Sequence, residues 1–333
     1  MTSHPTSHPS DRTRAAQIIE PGRPPVVTDR PAPAPGPGEV LVEVRAAPIT
    51  PLDLLCASGT SYFGVPATPY VPGVQGVGTV VGGVAGRTVW FPTSAGIAPG
   101  DGSMAAVAVA RADELVELPA GADPVAVGAL GLSAVAAHLA LTWRGELAAG
   151  EQVVVLGAGG VVGQAAVQLA RGAGARRVVA GARSPDGRER AAKAGADAVV
   201  ALDTEDVDEL AARFATATDG PVDLVLDPLF GAPAAAAART LRAGGRLVNL
   251  GGSAAETCPI DSSTLRSKSL RLLGYTNTEL TAARRAEAIT YVAEQAVAGR
   301  LAVAHETVPL ADAGAAWQRQ ADGVASGRIV LVP

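Results

Sequence analysis

The stretch Val153–Gly163, VVVLGAGGVVG, decides the fold of this 333-residue chain. Four apolar residues end in a turn with glycines at Gly157, Gly160 and Gly163, and the helix-forming run Gln164–Ala175 follows at once. The pattern predicts a strand, a glycine turn and a helix. A helix N-terminus presents unpaired N–H groups and the positive end of its dipole, and glycines let a pyrophosphate approach that backbone closely. The stretch therefore predicts a dinucleotide-binding turn.

Further short apolar runs follow this stretch, and alanine-rich helical segments fill most of the gaps between them. Strands that alternate with helices build a parallel sheet with helices on both faces, and strands buried on both faces show no polar alternation. Six runs match a complete doubly wound (Rossmann) α/β sheet: Val153–Leu156, Val178–Ala180, Val199–Leu202, Val222–Leu226, Leu247–Leu250 and Leu270–Leu273.

The first 120 residues differ in pattern. Glu39–Arg45 alternates valine with charged residues, which is typical of a half-buried antiparallel strand. Val77–Val81 and Met104–Ala110 are predicted as further strands, and Arg328–Val332 as a last strand that returns to this first domain. We therefore expect a disordered tail (1–14), a discontinuous β-rich substrate domain (15–126 and 275–333) and a dinucleotide-binding domain (127–274). The cleft between the two domains is the expected ligand site.

Composition excludes several classes of protein. The net charge of −5 provides no basic footprint for nucleic acid, and only two cysteines, Cys56 and Cys258, suit a reducing cytosol. The N-terminus lacks the apolar segment of a signal peptide. The longest apolar window, Val125–Leu141, contains glycine, serine and histidine, and a buried helix explains it better than a membrane span. We expect a cytoplasmic protein with no membrane or nucleic-acid partner.

The order of motifs resembles the zinc-independent quinone oxidoreductase (zeta-crystallin-like) group of the medium-chain dehydrogenase/reductase superfamily. That resemblance implies a GroES-like fold for the β-rich domain, a homodimer joined through the strand Leu270–Leu273, and a reaction at a nicotinamide cofactor. Asp53 falls in one of these motifs and is interpreted as a helix cap or a structural hydrogen bond. The motifs are Ala47–Gly59, Tyr70–Gly76, Leu130–Leu141, Gly157–Gly163, Asp223–Pro228 and Gly244–Gly251.

The resemblance also implies that no metal is bound. Zinc-bearing relatives carry a cysteine where Ile49–Thr50 stand and Gly-His-Glu where Gly73–Gln75 stand, and the chain has too few cysteines for the structural zinc lobe. Zinc prefers thiolate and imidazole ligands. We therefore expect neither zinc site.

The second strand of the dinucleotide fold indicates which nicotinamide binds. Ala182 stands where NAD enzymes place an acid for the ribose 2′-hydroxyl, and Arg183 and Arg188 follow it. Guanidinium groups suit a 2′-phosphate, so NADPH is favoured; the alternative is a solvated helix start in an arginine-rich protein. The expected cofactor-binding residues are Ser133, Gly157, Ala158, Gly160, Val161, Val162, Gly163, Arg183, Arg188, Leu250, Gly251, Tyr275 and Arg328.

Without a Lewis acid, a quinone or the activated C=C of an enone is a better hydride acceptor than a simple ketone, because conjugation delocalises the charge. We expect an enoyl (ene) reductase-like or quinone-reducing activity in which Tyr62 or Thr50 supplies a hydroxyl. Phe63, Gln75, Trp90 and Phe91 are the candidate substrate-binding residues, and ordinary core packing is the competing explanation. Two alternatives stay open: an NADPH-binding protein with little catalysis (crystallin-like or regulatory), and a dedicated biosynthetic ene-reductase.

Overall fold

A computed structural model describes residues 12–83 and 87–333. The first half of the chain comprises β1 (Arg12–Gln17), β2 (Val26–Pro31), β3 (Glu39–Pro48), α1 (Pro51–Ser58), β4 (Gln75–Val80), β5 (Thr88–Pro92), β6 (Val107–Arg111), β7 (Val116–Glu117) and α2 (Pro124–Leu139). The second half comprises β8 (Gln152–Val155), α3 (Val161–Gly172), β9 (Arg177–Ala182), α4 (Pro185–Lys193), β10 (Ala198–Ala201), α5 (Val207–Ala217), β11 (Val222–Asp227), α6 (Gly231–Ala238), β12 (Leu241–Asn249), α7 (Ser262–Lys268), β13 (Arg271–Gly274), α8 (Ala282–Val297), β14 (His305–Pro309), α9 (Ala313–Ala321) and β15 (Arg328–Val332).

The chain divides into two compact units. The first contains residues 12–129 and 305–333, and the second contains residues 130–304. The predicted N-terminal tail extends too far, because Arg12–Arg14 already belong to β1, which pairs with β2. Residues 1–11 lie outside the described residues.

The second unit contains the predicted parallel sheet. Its strand order is β10-β9-β8-β11-β12-β13, and every neighbouring pair is parallel. This is the doubly wound order, with β8 at the centre and the chain reversing its direction of travel on either side of it. The carboxyl ends of all six strands therefore share one edge.

The boundary predicted at residue 275 is displaced, because residues 275–304 belong to the second unit. The helix α8 stacks Tyr291 on His138 of α2, with ring centroids 4.4 Å apart. The segment after α8 is held by α3, where Gln164 and Gln168 accept hydrogen bonds from the backbone N–H groups of residues 304 and 302. The sequence of α8, which follows β13, the last strand of the parallel sheet, contains no motif that indicates which of the two units this helix belongs to.

The first unit is rich in β-strands, as expected. A seven-stranded sheet has the order β14-β15-β3-β4-β5-β7, and β6 also pairs with β3. Val330 of β15 lies opposite Pro48 of β3, so the prediction that the last strand returns to this unit is confirmed. The core beneath the sheet contains Phe91, Met104 and Ile329.

Among the described residues, one helical segment, Pro124–Arg144, is long and apolar enough to span a membrane. The share of its most apolar window that is buried within the structure is 67%. Gly131 interrupts it with φ 33° and ψ −137°, values outside the helical region. Burial of this extent is typical of a core helix, which is the interpretation made from the sequence.

Candidate dinucleotide site

The glycine turn connects β8 to α3 at the centre of the sheet. Leu156 N–H donates to the Leu226 carbonyl and Ala158 N–H to the Gly181 carbonyl, so the turn is anchored to the strands on both sides. Gly160 is the N-cap of α3, and no side chain caps the first turn. The N–H groups of the first helical turn are therefore available for an anion at the positive end of the helix dipole.

Close packing, together with a positive φ at Gly157, explains two of the three glycines of the predicted turn. A methyl group on Gly163 would collide with Ala158 and lie 2.5 Å from the Gly157 carbonyl oxygen. Gly157 has φ +63° and a methyl group there would lie 3.0 Å from Pro228 Cγ. Gly160 has more room, because its nearest neighbour, the Gly157 carbonyl oxygen, would be 3.4 Å away.

A further glycine, Gly159, was not singled out from the sequence. A methyl group on it would lie 2.6 Å from Gly187 Cα in the first turn of α4. Gly187 is a poor helix former inside α4, and that placement is the signal that could have revealed the contact. The turn and the start of α4 thus touch backbone to backbone.

The end of β9 brings the two predicted phosphate ligands together. Ala182 is buried, Arg183 is exposed, and Ser184 caps α4 by accepting from Gly187 N–H at 3.0 Å. The Arg188 guanidinium donates to the Arg183 carbonyl oxygen at 2.7 Å. Arg190 instead donates to the Gly159 carbonyl of the turn at 2.9 Å.

The ends of β11 and β12 contain a buried acid, Asp227, whose role was not anticipated from the sequence. Its Oδ1 accepts from Leu229 N–H and Phe230 N–H, each at 2.9 Å, and its Oδ2 accepts from Asn249 Nδ2 at 2.9 Å. Burial raises the pKa of this carboxyl, and the hydrogen bonds oppose that change. The motif Asp223–Pro228 marked the place, but only as a family landmark.

The remaining predicted cofactor residues of the second unit lie beside this acid. Leu250 N–H donates to the Asp227 carbonyl, and the Gly251 carbonyl accepts from Asn249 Nδ2. Tyr275 N–H donates to the Asn249 carbonyl. The Tyr275 hydroxyl reaches Asn277, which donates in turn to the Leu132 carbonyl. Ser133, half-buried on α2, is the next residue after Leu132.

In the first unit, Thr50 and Asp53 form a capping box at the start of α1. Thr50 Oγ1 lies 2.6 Å from Asp53 Oδ2, which also accepts from Thr50 N–H. Asp53 Oδ1 accepts from the N–H groups of Gly73 and Val74. The interpretation of Asp53 as a helix cap or a structural hydrogen bond is confirmed, since Asp53 is the N3 partner of the N-cap Thr50. The Thr50 hydroxyl, which was a candidate catalytic donor, serves this network.

Arg328, expected to bind the cofactor, lies buried in the first unit. Its Nη1 donates to the Ile49 carbonyl at 2.7 Å. Burial lowers the pKa of Arg328 to about 10, and the Asp53 charge opposes that change, so the guanidinium keeps its charge at neutral pH. Burial raises the pKa of Asp53 against the hydrogen bonds from Thr50 and Val74. This placement argues for a structural role and against a contact with phosphate.

The predicted substrate residues and the catalytic candidate Tyr62 fall into two groups. Trp90 and Phe91 are fully buried, and Trp90 Nε1 donates to Gln75 Oε1 at 3.0 Å. Phe91 belongs to the core of the first unit, which favours the packing explanation for it. Tyr62 is 77% exposed, and its ring lies against Phe63 with centroids 4.2 Å apart. Of these four aromatic residues, Tyr62 is exposed and Phe63 is half-buried, so this pair alone among the four reaches the surface.

A zinc ion does not fit the residues present at the positions where the resemblance places its ligands. Thr50, Val74 and Gln75 offer a hydroxyl, an alkyl group and an amide, whereas zinc prefers thiolate, imidazole or carboxylate. Within residues 12–83 and 87–333, no group of three or more His, Cys, Asp or Glu side chains is arranged to hold a metal. A dinucleotide does fit, because the N-terminus of α3 has no side-chain cap and glycines form the turn that leads into it.

Comparison with known proteins agrees with this geometry. Residues 36–120 match the family model of the alcohol dehydrogenase GroES-like domain, and residues 161–294 match that of the zinc-binding dehydrogenase. Rat (Rattus norvegicus) quinone oxidoreductase is 31% identical over 249 residues, which span 72% of this chain and 73% of the rat protein. A mycocerosic acid synthase-like polyketide synthase of Mycolicibacterium smegmatis is 33% identical over 234 residues, 65% of this chain and 10% of the synthase.

Among solved structures, the quinone oxidoreductase of Thermus thermophilus, described with its NADPH complex, superimposes with a TM-score of 0.80. It is 29% identical, and the match covers 96% of this chain and 100% of that protein. The chain belongs to the medium-chain dehydrogenase/reductase superfamily and, within it, to the quinone oxidoreductase group, which confirms the resemblance inferred from the motifs.

Proposed function

We propose that this protein is an NADPH-dependent oxidoreductase that transfers a hydride to a quinone, or to the activated C=C of an enone, without zinc. The observation that carries the proposal is the uncapped N-terminus of α3 behind a glycine turn that excludes side chains. It lies at the carboxyl end of β8, where a doubly wound sheet changes direction and binds dinucleotides. The family membership supports the same reaction class.

The preference for NADPH rests on the end of β9. Ala182 has no carboxylate to accept from a ribose 2′-hydroxyl, and Arg183 extends from this edge as an exposed cation. Arg188 lies beside it and donates to its carbonyl. A guanidinium recognises a phosphate with charge-assisted hydrogen bonds, so this end favours the phosphorylated ribose.

The chemistry follows from the groups that the chain offers. NADPH, when bound, supplies the hydride from C4 of its nicotinamide ring. The chain contributes binding, orientation and exclusion of water, and an electron-poor conjugated acceptor needs no Lewis acid. Water or the exposed Tyr62 hydroxyl supplies the proton, because the Thr50 hydroxyl is engaged with Asp53.

The match to a polyketide synthase favours one second candidate, a dedicated biosynthetic ene-reductase. It uses the same cofactor and the same hydride transfer, and it differs only in its acceptor. We further propose that the protein is cytoplasmic, that its partner is a small-molecule substrate, and that it forms a homodimer through β13.

The test is a titration of the purified chain with NADPH and NADH by calorimetry, followed by assays of NADPH oxidation with a panel of quinones and enones. We expect NADPH to bind more tightly and at least one acceptor to be reduced. Failure to bind either nucleotide overturns the proposal. Binding without turnover on every acceptor would instead support the reading as a nucleotide-binding protein with little catalysis.

A further inference from the structure

Asp227 is a buried acid that the proposed chemistry does not use. It ends β11 at the carboxyl edge of the sheet and is fully buried. Its three hydrogen bonds come from neutral donors, namely two backbone N–H groups and the Asn249 amide. Burying a carboxyl group costs free energy, because the group loses its contacts with water. We therefore looked for what the hydrogen bonds of Asp227 stabilise.

The backbone that Asp227 holds is strained. Phe230 has φ 61° and ψ −159°, a region that residues other than glycine rarely adopt. The Phe230 N–H donates to Asp227 Oδ1, and the neighbouring Leu229 N–H donates to the same oxygen. The carboxyl group therefore stabilises a loop shape that the chain would otherwise avoid.

That loop shape places Pro228 and Leu229 against the glycine turn. A methyl group on Gly157 would lie 3.0 Å from Pro228 Cγ and 3.1 Å from Leu229 Cδ2, so both side chains sit directly beside the turn. On the other side, the Leu229 carbonyl accepts from Ala254 N–H at 2.9 Å. The loop 228–230 is thus fixed between the glycine turn and the loop that follows β12.

The strand order assigns the two halves of a dinucleotide to different sides of β8. The pyrophosphate faces the N-terminus of α3, and the adenosine half extends over β9, where Arg183 lies. The nicotinamide half must then extend the other way, over the ends of β11 and β12. Pro228, Leu229 and Gly251 line that side of the edge.

We propose that Asp227, together with Asn249, is a positioning residue for the nicotinamide half of the cofactor. It acts through the loop 228–230 and makes no contact with the cofactor itself. This inference rests on the proposed function and adds to it a residue that determines how the reactive ring is seated. A purely structural acid would affect the whole molecule equally, whereas a positioning residue affects one half of the ligand.

The chain offers a matched control on the same strand. Asp223 stands near the amino end of β11, where it accepts from Gln152 N–H and from the Arg242 guanidinium. The substitutions Asp227→Asn and Asp223→Asn make the same chemical change at opposite edges of the sheet. In Asp227→Asn, one amide cannot accept both from the backbone N–H groups and from Asn249, so part of the network is lost.

The experiment measures the Kd of full-length wild type and of both variants for NADPH and for 2′,5′-ADP, which represents the adenosine half alone. We expect Asp227→Asn to raise the Kd for NADPH about tenfold, the loss of one or two buried hydrogen bonds, with the Kd for 2′,5′-ADP within about twofold of wild type. Asp223→Asn should leave both Kd values near those of wild type.

Equal affinity of Asp227→Asn and wild type for NADPH overturns the inference, and so does an equal loss for both ligands. If Asp227→Asn does not fold, Asn249→Ser removes a single donor to the same carboxyl and is judged by the same two comparisons. Failure of the wild type to bind NADPH at all overturns the proposed function, which is a distinct result.

Discussion

Arg183 lies exposed at the end of β9, where the ribose of a dinucleotide is recognised. Its position was predicted from the sequence because the residue after a buried apolar strand falls at the carboxyl edge. The hydrogen-bond partners of the nearby Arg188 and Arg190 could not be predicted from the sequence. Arg188 donates to the Arg183 carbonyl and Arg190 to the Gly159 carbonyl, and such backbone partners leave no pattern in the sequence.

We predict that Arg183→Ala weakens NADPH binding about tenfold and changes the Kd for NADH by less than about twofold, because only NADPH carries the 2′-phosphate. Fluorescence titration with both nucleotides measures this. Arg176→Ala is the control, since Arg176 precedes β9 at its opposite end and pairs with Asp219. Equal losses for both nucleotides in Arg183→Ala would show that the phosphate assignment is wrong.

For the aromatic residues, the sequence alone does not predict which side chains are buried and which are exposed. Tyr62, Phe63, Trp90 and Phe91 cluster in the sequence, and that clustering alone does not separate a substrate surface from a core. In the structure Trp90 and Phe91 are fully buried while Tyr62 is exposed. Burial depends on which strands cover each face, and this information is distributed over the whole sheet.

At the scale of elements, the sequence predicted all six strands of the parallel sheet, with most bounds within a few residues. Continuous apolar runs mark strands buried on both faces, and the handedness rule for parallel crossovers leaves few orders. The exception is β12, which begins at Leu241, six residues before the predicted Leu247. Residues 242–246, in the first half of β12, are arginine, alanine or glycine, so no apolar run indicates a strand there.

We predict that Gly163→Ala lowers the free energy of unfolding by about 1–3 kcal/mol and abolishes tight NADPH binding, because the methyl group collides with Ala158 and the glycine turn must shift. Gly172→Ala, at the other end of α3, is the matched control. Beyond its chain neighbours and the backbone of its own helix, no atom lies within 4 Å of the added methyl group, so the substitution should stabilise by about 0.5–1 kcal/mol. Chemical denaturation and NADPH titration test both substitutions. Normal NADPH binding by Gly163→Ala would contradict the assignment of the glycine turn as the cofactor-binding site.

The amino edge of the sheet is held by Arg246, a buried residue of β12. Its guanidinium forms a bidentate pair with Glu151, at 2.8 and 2.6 Å, and donates to the Gly145 carbonyl. Burial of Glu151 opposes its ionisation, but the bonds from Arg246 and from Ala148 N–H hold its pKa below the usual value. The pair therefore stabilises the folded state above the pKa of an unfolded glutamate, and this contribution is lost as the pH falls.

We predict that Arg246→Gln lowers the free energy of unfolding at pH 7 by about 3 kcal/mol, because the partly buried Glu151 carboxylate loses its bidentate partner and keeps only the longer pair with Arg242, at 3.6 Å. The difference from wild type should shrink below about pH 4.3, where unfolded glutamate takes up a proton. Urea unfolding at several pH values measures it. A difference that stays constant from pH 7 to pH 3 would show that the ion pair is not the cause.

At the scale of the whole molecule, the sequence predicted two units and the structure contains two. The boundary that was predicted directly after β13, at residue 275, lies instead after residue 304. Residues 275–304 join the second unit through backbone bonds such as that of Tyr275 to Asn249. Those contacts connect residues that are far apart in sequence, so no local pattern marks them. The strand β13 lies at the edge of the parallel sheet, as the homodimer proposal needs.

We predict that Leu272→Lys converts a dimer to a monomer, because Leu272 is 47% exposed on the edge strand β13 and a lysine there opposes edge-to-edge pairing. Val297→Lys is the control, as Val297 is 46% exposed at the end of α8. Light scattering at micromolar concentration gives the mass of each. If the wild-type protein is a monomer at this concentration, the proposed homodimer is wrong.

The central claim is that a reduced nicotinamide cofactor, bound with its pyrophosphate at the glycine turn, passes its hydride to an electron-poor acceptor with no metal assisting. The most direct measurement is the rate at which the chelator-treated protein oxidises NADPH and its 4-deuterated form, with the quinone and enone panel as acceptors. The account predicts turnover that deuterium slows and chelation leaves unchanged. No oxidation with any acceptor, or activity that chelation removes and zinc restores, would contradict it.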